Sequence, residues 1–328
     1  MEMYDLIIVG SGAAGLSAAI YAARYRLKTV VIGETLGGET ALAGKIENYP
    51  GFKAVDGFEL MSLIKEQAVA LDTPVVDAKV TSIKRAEHCF EVTAGDKIYQ
   101  AHEIILAQGA ERRKLGLPNE KQLTGHGISY CVTCDGPLYR NKTIALVGSG
   151  DAAVKGLNLA AEYVSKIYLI VRGKEVKADP INYERMQALG NKVTVLFETE
   201  VTAAVGEKQL EKITLSKQYN GSSELVVDGL FVEIGAVPNI ELAKQLGLEL
   251  DEKGYIKVDN LMGTNVDGVF SAGDAVNHFG AFKQDITAAA TGAVAATSAY
   301  DDHKIHGELC PWHARPTMSK VKSVCRKK

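Results

Sequence analysis

Several things are scarce in this sequence, and each scarcity narrows the field. Cysteine is rare: Cys89, Cys131, Cys134, Cys310 and Cys325 are the five in 328 residues. An odd, sparse set does not staple a small secreted fold, and it fits a reducing cytoplasm. No apolar run approaches the roughly 20 residues that a membrane helix needs, so no membrane association is expected. Neither sign of charge dominates. The 37 basic and 40 acidic residues leave a net charge of −3, which speaks against a general nucleic-acid binder. From Met1 to Asp5 the chain passes directly into strand-like sequence, without the charged start of a cleavable leader. The one tryptophan, Trp312, lies in the basic C-terminal stretch. What remains is a globular chain with 46% hydrophobic residues, long enough for roughly two domains.

Glycine, with 32 residues, is plentiful, and its placement is informative. Leu6-Ile7-Ile8-Val9 is a continuous apolar run, as in a parallel strand covered on both faces. It leads into Gly10-Ser11-Gly12-Ala13-Ala14-Gly15 and then a helical stretch over 16–25. Strand, G-x-G-x-x-G turn and helix in that order form a dinucleotide-binding unit. The first glycine permits the tight turn, the second admits a pyrophosphate against bare backbone, and the third lets helix and strand pack closely. The helix start attracts the phosphate charge. The next strand, 29–32, has no acid at its immediate end; Glu34, two residues on, is the candidate for a ribose hydroxyl.

The pattern recurs once. Residues 143–147 form a second apolar strand before Gly148-Ser149-Gly150-Asp151-Ala152-Ala153 and an alanine-rich helix. After the following strand, 168–171, come Arg172, Lys174 and Lys177, with Glu175 the only acid among them. Positive charge there suits a 2′-phosphate, hence NADP over NAD.

Shortly before the second loop stands Cys131-Val132-Thr133-Cys134-Asp135-Gly136. Two intervening residues allow a small disulfide ring, and free N–H groups at a helix start stabilise the thiolate needed for exchange. Asp135 is close enough to exchange a proton with a sulfur. A zinc site would need a second close pair or a His pair, and nothing else in the catalytic body supplies one. A dithiol between two dinucleotide folds implies electrons passing from a nucleotide to a disulfide. Cys89, alone in a strand-like run, is expected to be a passive structural residue. Runs at 192–197, 212–215 and 224–232 predict a small β-layer. Residues 254–258 and 268–270 lead to Ala272-Gly273-Asp274, and 286–300 read as a closely packed helix.

Together these residues resemble the low-molecular-weight thioredoxin reductases over positions 3–303. The dithiol hexapeptide is similar to the family's C-A-T-C-D-G, and Glu47-Asn48-Tyr49-Pro50-Gly51-Phe52 to its E-N-x-P-G-F. Gly268-Val269-Phe270-Ser271-Ala272-Gly273-Asp274 is similar to G-V-F-A-A-G-D, and Lys283-Gln284-Asp285 stands at R-Q-A. The resemblance implies an α/β fold of two Rossmann-like three-layer nucleotide-binding domains. An FAD domain, 1–114 and 243–304, is interrupted by an NAD(P)H-like domain, 115–242, that carries the CxxC; 305–328 form a tail. FAD contacts are then Gly10, Gly12, Ala13, Ala14, Gly15, Glu34, Gly38, Asn48, Ala107, Gly109, Gly273, Asp274, Lys283 and Gln284. Those for NADPH are Gly148, Gly150, Asp151, Ala152, Ala153, Arg172 and Lys177. The resemblance further implies a homodimer, a rotating inserted domain and a thioredoxin-like protein as substrate. Cys134 would face the flavin, Cys131 would attack the protein disulfide, and Asp135 would protonate the leaving thiolate.

The sequence departs from the family at three places. The family's H-R-R-x-x-x-R reads Val171-Arg172-Gly173-Lys174-Glu175-Val176-Lys177. One arginine is gone and another is a lysine, without the planar bidentate contact, which weakens NADPH binding by one to several tenfold steps. NADPH stays the first choice of donor because the loop 148–153 is intact; NADH, ferredoxin and a deazaflavin remain open. Secondly, A-T-G is Ala107-Gln108-Gly109 and G-G-Q is Gly37-Gly38-Glu39, both beside the expected flavin. Thirdly, the chain runs on past the usual family end, with His303, His306, Cys310, Trp312, His313 and Cys325 in this tail. It is read as a solvated tail; alternatives are Trp312 packed over the flavin or the partner subunit, a metal site, and a redox-active segment. The leading function is reduction of a thioredoxin-like protein. A flavin dithiol oxidase and a non-enzymatic redox sensor are the competing classes. An alkyl-hydroperoxide reductase flavoprotein is disfavoured because no thioredoxin-like module precedes Tyr4.

Overall fold

The computed structural model describes residues 3–86, 89–280 and 282–306. The readings made for Cys310, Trp312, His313, Cys325 and the side chain of His306 lie outside the described residues. Two compact units divide the chain. The first runs to Gly109 and resumes at Pro238; the second is Ala110–Val237.

In the first unit, Met3–Val9 sits between two parallel partners, Thr29–Gly33 and Lys97–Leu106. Both its faces are covered, which is why the run is apolar without alternation. The sheet continues from Thr29–Gly33 to Val75–Asp77, and on the other side from Lys97–Leu106 to Phe90–Ala94 and Val80–Arg85. Lys97–Leu106 is shared: its front half pairs antiparallel with Phe90–Ala94 and its back half pairs parallel with Val269–Ser271. The helix Ala13–Arg24 crosses the C-terminal helix, Asp285–His306, closely enough that a Cβ at Gly292 would stand 2.0 Å from the Ala14 carbonyl oxygen. Small residues at this crossing are therefore a steric requirement, and Ala295, Ala296 and Ala299 are fully buried. The helix runs longer at both ends than the 286–300 read from sequence. Residues 254–258 do not form a strand; Ile256 makes only isolated bridges to Leu250 and Val276. Cys89 is buried.

The second unit is built on a parallel sheet in the order Ile128–Ser129, Gly229–Val232, Thr143–Val147, Lys166–Val171, Val193–Phe197. A separate antiparallel sheet joins Val201–Val205, Lys212–Tyr219 and Ser222–Val226. Two expectations are corrected here. The run 192–197 belongs to the edge of the parallel sheet, not to the small layer. The run 224–232 is two strands in different sheets, because the chain crosses from one to the other at Asp228. That residue exchanges bonds with Thr143: its N–H donates to the Thr143 carbonyl and its carboxylate accepts from the Thr143 N–H, both at 2.8 Å. Apolar sequence alone does not distinguish a buried parallel strand from the last strand of a hairpin. Among the described residues no helix is long and apolar enough to cross a membrane, and no cluster of His, Cys, Asp or Glu has the makings of a metal site.

Candidate functional site

At the end of Met3–Val9 the chain turns through Gly10, at φ +115°, where a Cβ would lie 2.1 Å from the Ala107 carbonyl oxygen. Gly15 is forced in the same way: its Cβ would stand 1.8 Å from the Gly10 carbonyl oxygen. Gly12 caps the helix Ala13–Arg24 with no side-chain cap bond and no acid in the first turn. The leading N–H groups thus lack the usual side-chain partner. A Cβ at Gly12 would meet nothing nearer than the Gly37 carbonyl oxygen at 3.9 Å, so room remains where the helix opens. Gly37 N–H donates to the Ser11 carbonyl at 2.9 Å, which brings Gly38 beside Gly12. Glu34 directly follows Thr29–Gly33, one residue longer than the strand read from sequence, and pairs with Lys79 at 3.5 Å.

Distant segments close the same site. Gly273, at φ +74°, packs on Ala14, and its N–H donates to Thr291 Oγ1 at 3.0 Å. Asp274 is drawn above the usual carboxylate range by burial, with Lys283 opposing and Asp285 and Glu39 adding to the rise. Burial lowers the Lys283 ammonium; it donates to the Val276 carbonyl and stands 4.3 Å from the Tyr255 ring centroid. Asn48 and Gln284 are hydrogen-bonded to one another at 2.8 Å. Ala107 is buried and bonded to Val9 at 2.8 Å, and Gly109, at φ +65°, has no neighbour within 4 Å of a Cβ. Gln108 Oε1 is buried and accepts no hydrogen bond among the described residues. An uncapped helix start, a glycine cradle and an orphaned acceptor fit a dinucleotide with a polar ring edge, as FAD has.

The second loop repeats this geometry. Gly148, at φ +149°, leaves 2.3 Å between a Cβ and the Glu233 carbonyl oxygen, whereas Gly150 has nothing within 4 Å. Gly150 caps Asp151–Ala160 without a side-chain bond. Ala153 is fully buried against Gly148, and Ala152 is exposed. Asp151 is committed inside the protein: its Oδ1 accepts from Asp179 N–H at 3.0 Å and from Asn182 Nδ2 at 2.8 Å. It ties the stretch after Lys166–Val171 to the glycine loop, as does the Lys177 N–H, which donates to the Ser149 carbonyl at 2.6 Å. The basic side chains there have acidic neighbours. Arg172 lies 3.8 Å from Glu200, Lys174 3.9 Å from Glu198, and Lys177 3.3 Å from Glu175. Within this stretch of sequence Glu175 is the one acid; the fold adds two carboxylates from a later turn.

Cys131 and Cys134 form a disulfide, with Cα atoms 5.3 Å apart. Cys131 caps the short helix Val132–Asp135, and its Sγ accepts from Cys134 N–H at 3.1 Å. Val132 anchors this turn in the core, where a Cβ at Gly156 would stand 3.1 Å from it. Cys134 is the exposed member of the pair and Cys131 is half-buried. Asp135 closes the turn, and its charge, after burial, helps to raise the Tyr139 phenol.

Residues 4–297 match the family described as Pyridine nucleotide-disulphide oxidoreductase. The chain is 40% identical over 300 residues to a thioredoxin reductase of Treponema pallidum, covering 90% of this chain and 96% of that one. Its fold is similar to the crystal structure of T. acidophilum thioredoxin reductase, with a TM-score of 0.86 and 32% identity over 93% of this chain and 100% of the other. It is also similar to a Ferredoxin-Flavin Thioredoxin Reductase from Clostridium acetobutylicum, with a TM-score of 0.51 and 34% identity over 93% and 99% of the two chains. Two glycine loops, a CxxC disulfide and likeness along nine-tenths of the sequence agree: the chain belongs to the pyridine nucleotide-disulphide oxidoreductases, among the thioredoxin reductases.

Proposed function

We propose that this chain reduces the disulfide of a thioredoxin-like protein with electrons drawn from NADPH through FAD and the Cys131–Cys134 pair. The observation that carries the reading is the presence, in one chain, of two uncapped glycine-loop helix starts and a formed CxxC disulfide. FAD, when bound, supplies the two-electron link between nicotinamide and sulfur. The first unit would hold it by Gly10, Gly12, Gly38 and Gly273, with Glu34 at the ribose and Asn48, Asp274, Lys283 and Gln284 around the opening. The second would hold NADPH by Gly148 and Gly150, with Arg172 and Lys177 toward its 2′-phosphate.

The protein's own chemistry is thiol exchange. In the reduced pair, the Cys131 thiolate attacks one sulfur of the partner's disulfide; that bond breaks and a mixed disulfide forms. Cys134 then attacks Cys131 Sγ, the second partner thiolate leaves, and the Cys131–Cys134 bond is restored. Two electrons and two protons end on the partner, and Asp135 is placed one residue away to deliver a proton to the leaving sulfur. The Cys134 N–H at Cys131 Sγ stabilises negative charge on that sulfur, which favours Cys131 as attacker. A homodimer is carried by the resemblance, and a cytoplasmic setting by the sparse cysteines.

Ferredoxin is the second donor, favoured by the carboxylates beside Arg172, Lys174 and Lys177 and by the likeness to the Clostridium acetobutylicum protein. The deciding experiment mixes the purified yellow protein, without oxygen, with NADPH and then NADH, and follows the flavin absorbance. Bleaching by NADPH and recovery on adding oxidised thioredoxin are expected. Bleaching by reduced ferredoxin or dithionite alone would overturn NADPH as donor; no recovery with thioredoxin would overturn the acceptor.

A further inference from the structure

The basic side chains after Lys166–Val171 are met by a turn that lies between Val193–Phe197 and Val201–Val205. Glu198 lies 3.9 Å from Lys174 and 3.7 Å from Lys217, and Glu200 lies 3.8 Å from Arg172. With Glu175 beside Lys177, four cations face three carboxylates, and only one net positive charge is left where a 2′-phosphate would be read.

These carboxylates project from a fixed backbone. Glu198 N–H donates to the Gly173 carbonyl at 2.9 Å and Thr199 N–H to that of Val171 at 3.1 Å. Glu200 N–H donates to Ser216 Oγ, and Ser216 N–H to the Glu200 carbonyl, each at 2.9 Å. Thr199 is buried, its hydroxyl bonded to the Phe197 carbonyl at 2.8 Å. Glu198 itself takes φ +51°, the left-handed region that glycine and asparagine occupy most readily. Strained backbone of this kind gathers at functional positions.

We propose that Glu198 and Glu200 set the nucleotide selectivity: they engage the phosphate-reading side chains in the nucleotide-free protein, so that NADPH is only weakly preferred over NADH. A 2′-phosphate must displace two carboxylates and then sit beside them, whereas a 2′-hydroxyl does neither. The inference rests on the second unit being the nucleotide site.

The test is calorimetric titration with 2′,5′-ADP and with 5′-AMP on wild type, E198N, E200Q and the double variant; E198Q is the second choice at that position. Asparagine accepts the left-handed backbone, so E198N keeps the turn. The double variant is expected to bind 2′,5′-ADP about tenfold more tightly and 5′-AMP within about twofold of wild type, on the scale of exposed charge pairs. The KM for NADPH falls in step, and the KM for NADH does not. Equal shifts for both probes, or none, overturn the proposal. Failure of the nucleotide site itself looks different: wild type binds neither probe and neither nucleotide bleaches its flavin, which removes both readings together.

Discussion

Asn48 Nδ2 donates to Gln284 Oε1 at 2.8 Å across 236 residues of sequence. Beside it, Thr40 Oγ1 donates to Asp285 Oδ1 at 2.5 Å. These two bonds fasten the stretch after the first helix to the start of the C-terminal helix, and so join the two separated parts of the first unit. Asp285, where the family pattern has alanine, is thereby the first-turn acid of its helix and the partner of Thr40.

Gln284→Leu should remove one clamp without disturbing the core. A loss of about 1 kcal/mol in unfolding free energy is expected, together with faster flavin release on dilution. Unchanged flavin retention would detach this pair from cofactor binding.

The glycines of the two loops should respond differently. Gly10→Ala drives a methyl to 2.1 Å from a backbone oxygen, so the protein should lose several kcal/mol and its flavin. Gly150→Ala meets nothing within 4 Å at an ordinary φ of −83°, so it should fold at least as well as wild type. At the nucleotide site proposed for this loop the methyl would stand against the pyrophosphate, and the KM for NADPH should rise tenfold or more, on the order of 1.4 kcal/mol of binding. A normal KM would place the nucleotide elsewhere.

Cys134→Ser and Cys131→Ser should each abolish reduction of thioredoxin. They should differ in what they trap. With Cys134 replaced, Cys131 attacks but cannot be released, and a stable mixed disulfide with thioredoxin should appear on a non-reducing gel. The exposed position of Cys134 makes this a real test: a mixed disulfide formed only by Cys131→Ser would exchange the two roles.

Glu103 lies within Lys97–Leu106, 2% exposed, with His303 Nδ1 3.1 Å from its carboxylate and Asp5 3.5 Å from the other ring nitrogen. Burial pushes its carboxyl up to about 7; His303 pulls it down, and Asp302 and Asp5 push it up. The His102 ring meets His303 edge-on at 5.5 Å. A carboxyl raised by folding binds its proton more tightly in the folded state. Its stabilisation is therefore complete below the ordinary pKa and is lost as pH rises through about 7. Glu103→Gln, which does not ionise, should lose less stability than wild type between pH 5 and 8, by on the order of 3 kcal/mol. Parallel denaturation midpoints across that range would show that Glu103 does not titrate there.

Both glycine loops and the dithiol were legible in the sequence because each is enforced by short-range chemistry. Gly10, Gly15 and Gly148 are demanded by backbone atoms that no Cβ can approach. Cys131 and Cys134 close a ring across two residues. The apolar runs before each loop follow from strands buried on both faces. Neighbours brought by the sheets were not legible. The break of 224–232 at Asp228 depends on Thr143 lying alongside. Asp151 reads as a cofactor contact by motif, yet it serves Asp179 and Asn182, which only the fold places within reach. The same holds for the carboxylates at the proposed nucleotide opening. The basic cluster from Arg172 to Lys177 is a property of one stretch of chain, but Glu198 and Glu200 face it because Val193–Phe197 pairs with Lys166–Val171. Local sequence determined that two glycine loops and a CxxC disulfide occur in this one chain, because steric and covalent constraints act within a few residues. Tertiary structure decided which carboxylates stand beside Arg172 and Lys174, because electrostatics is set by distance in space.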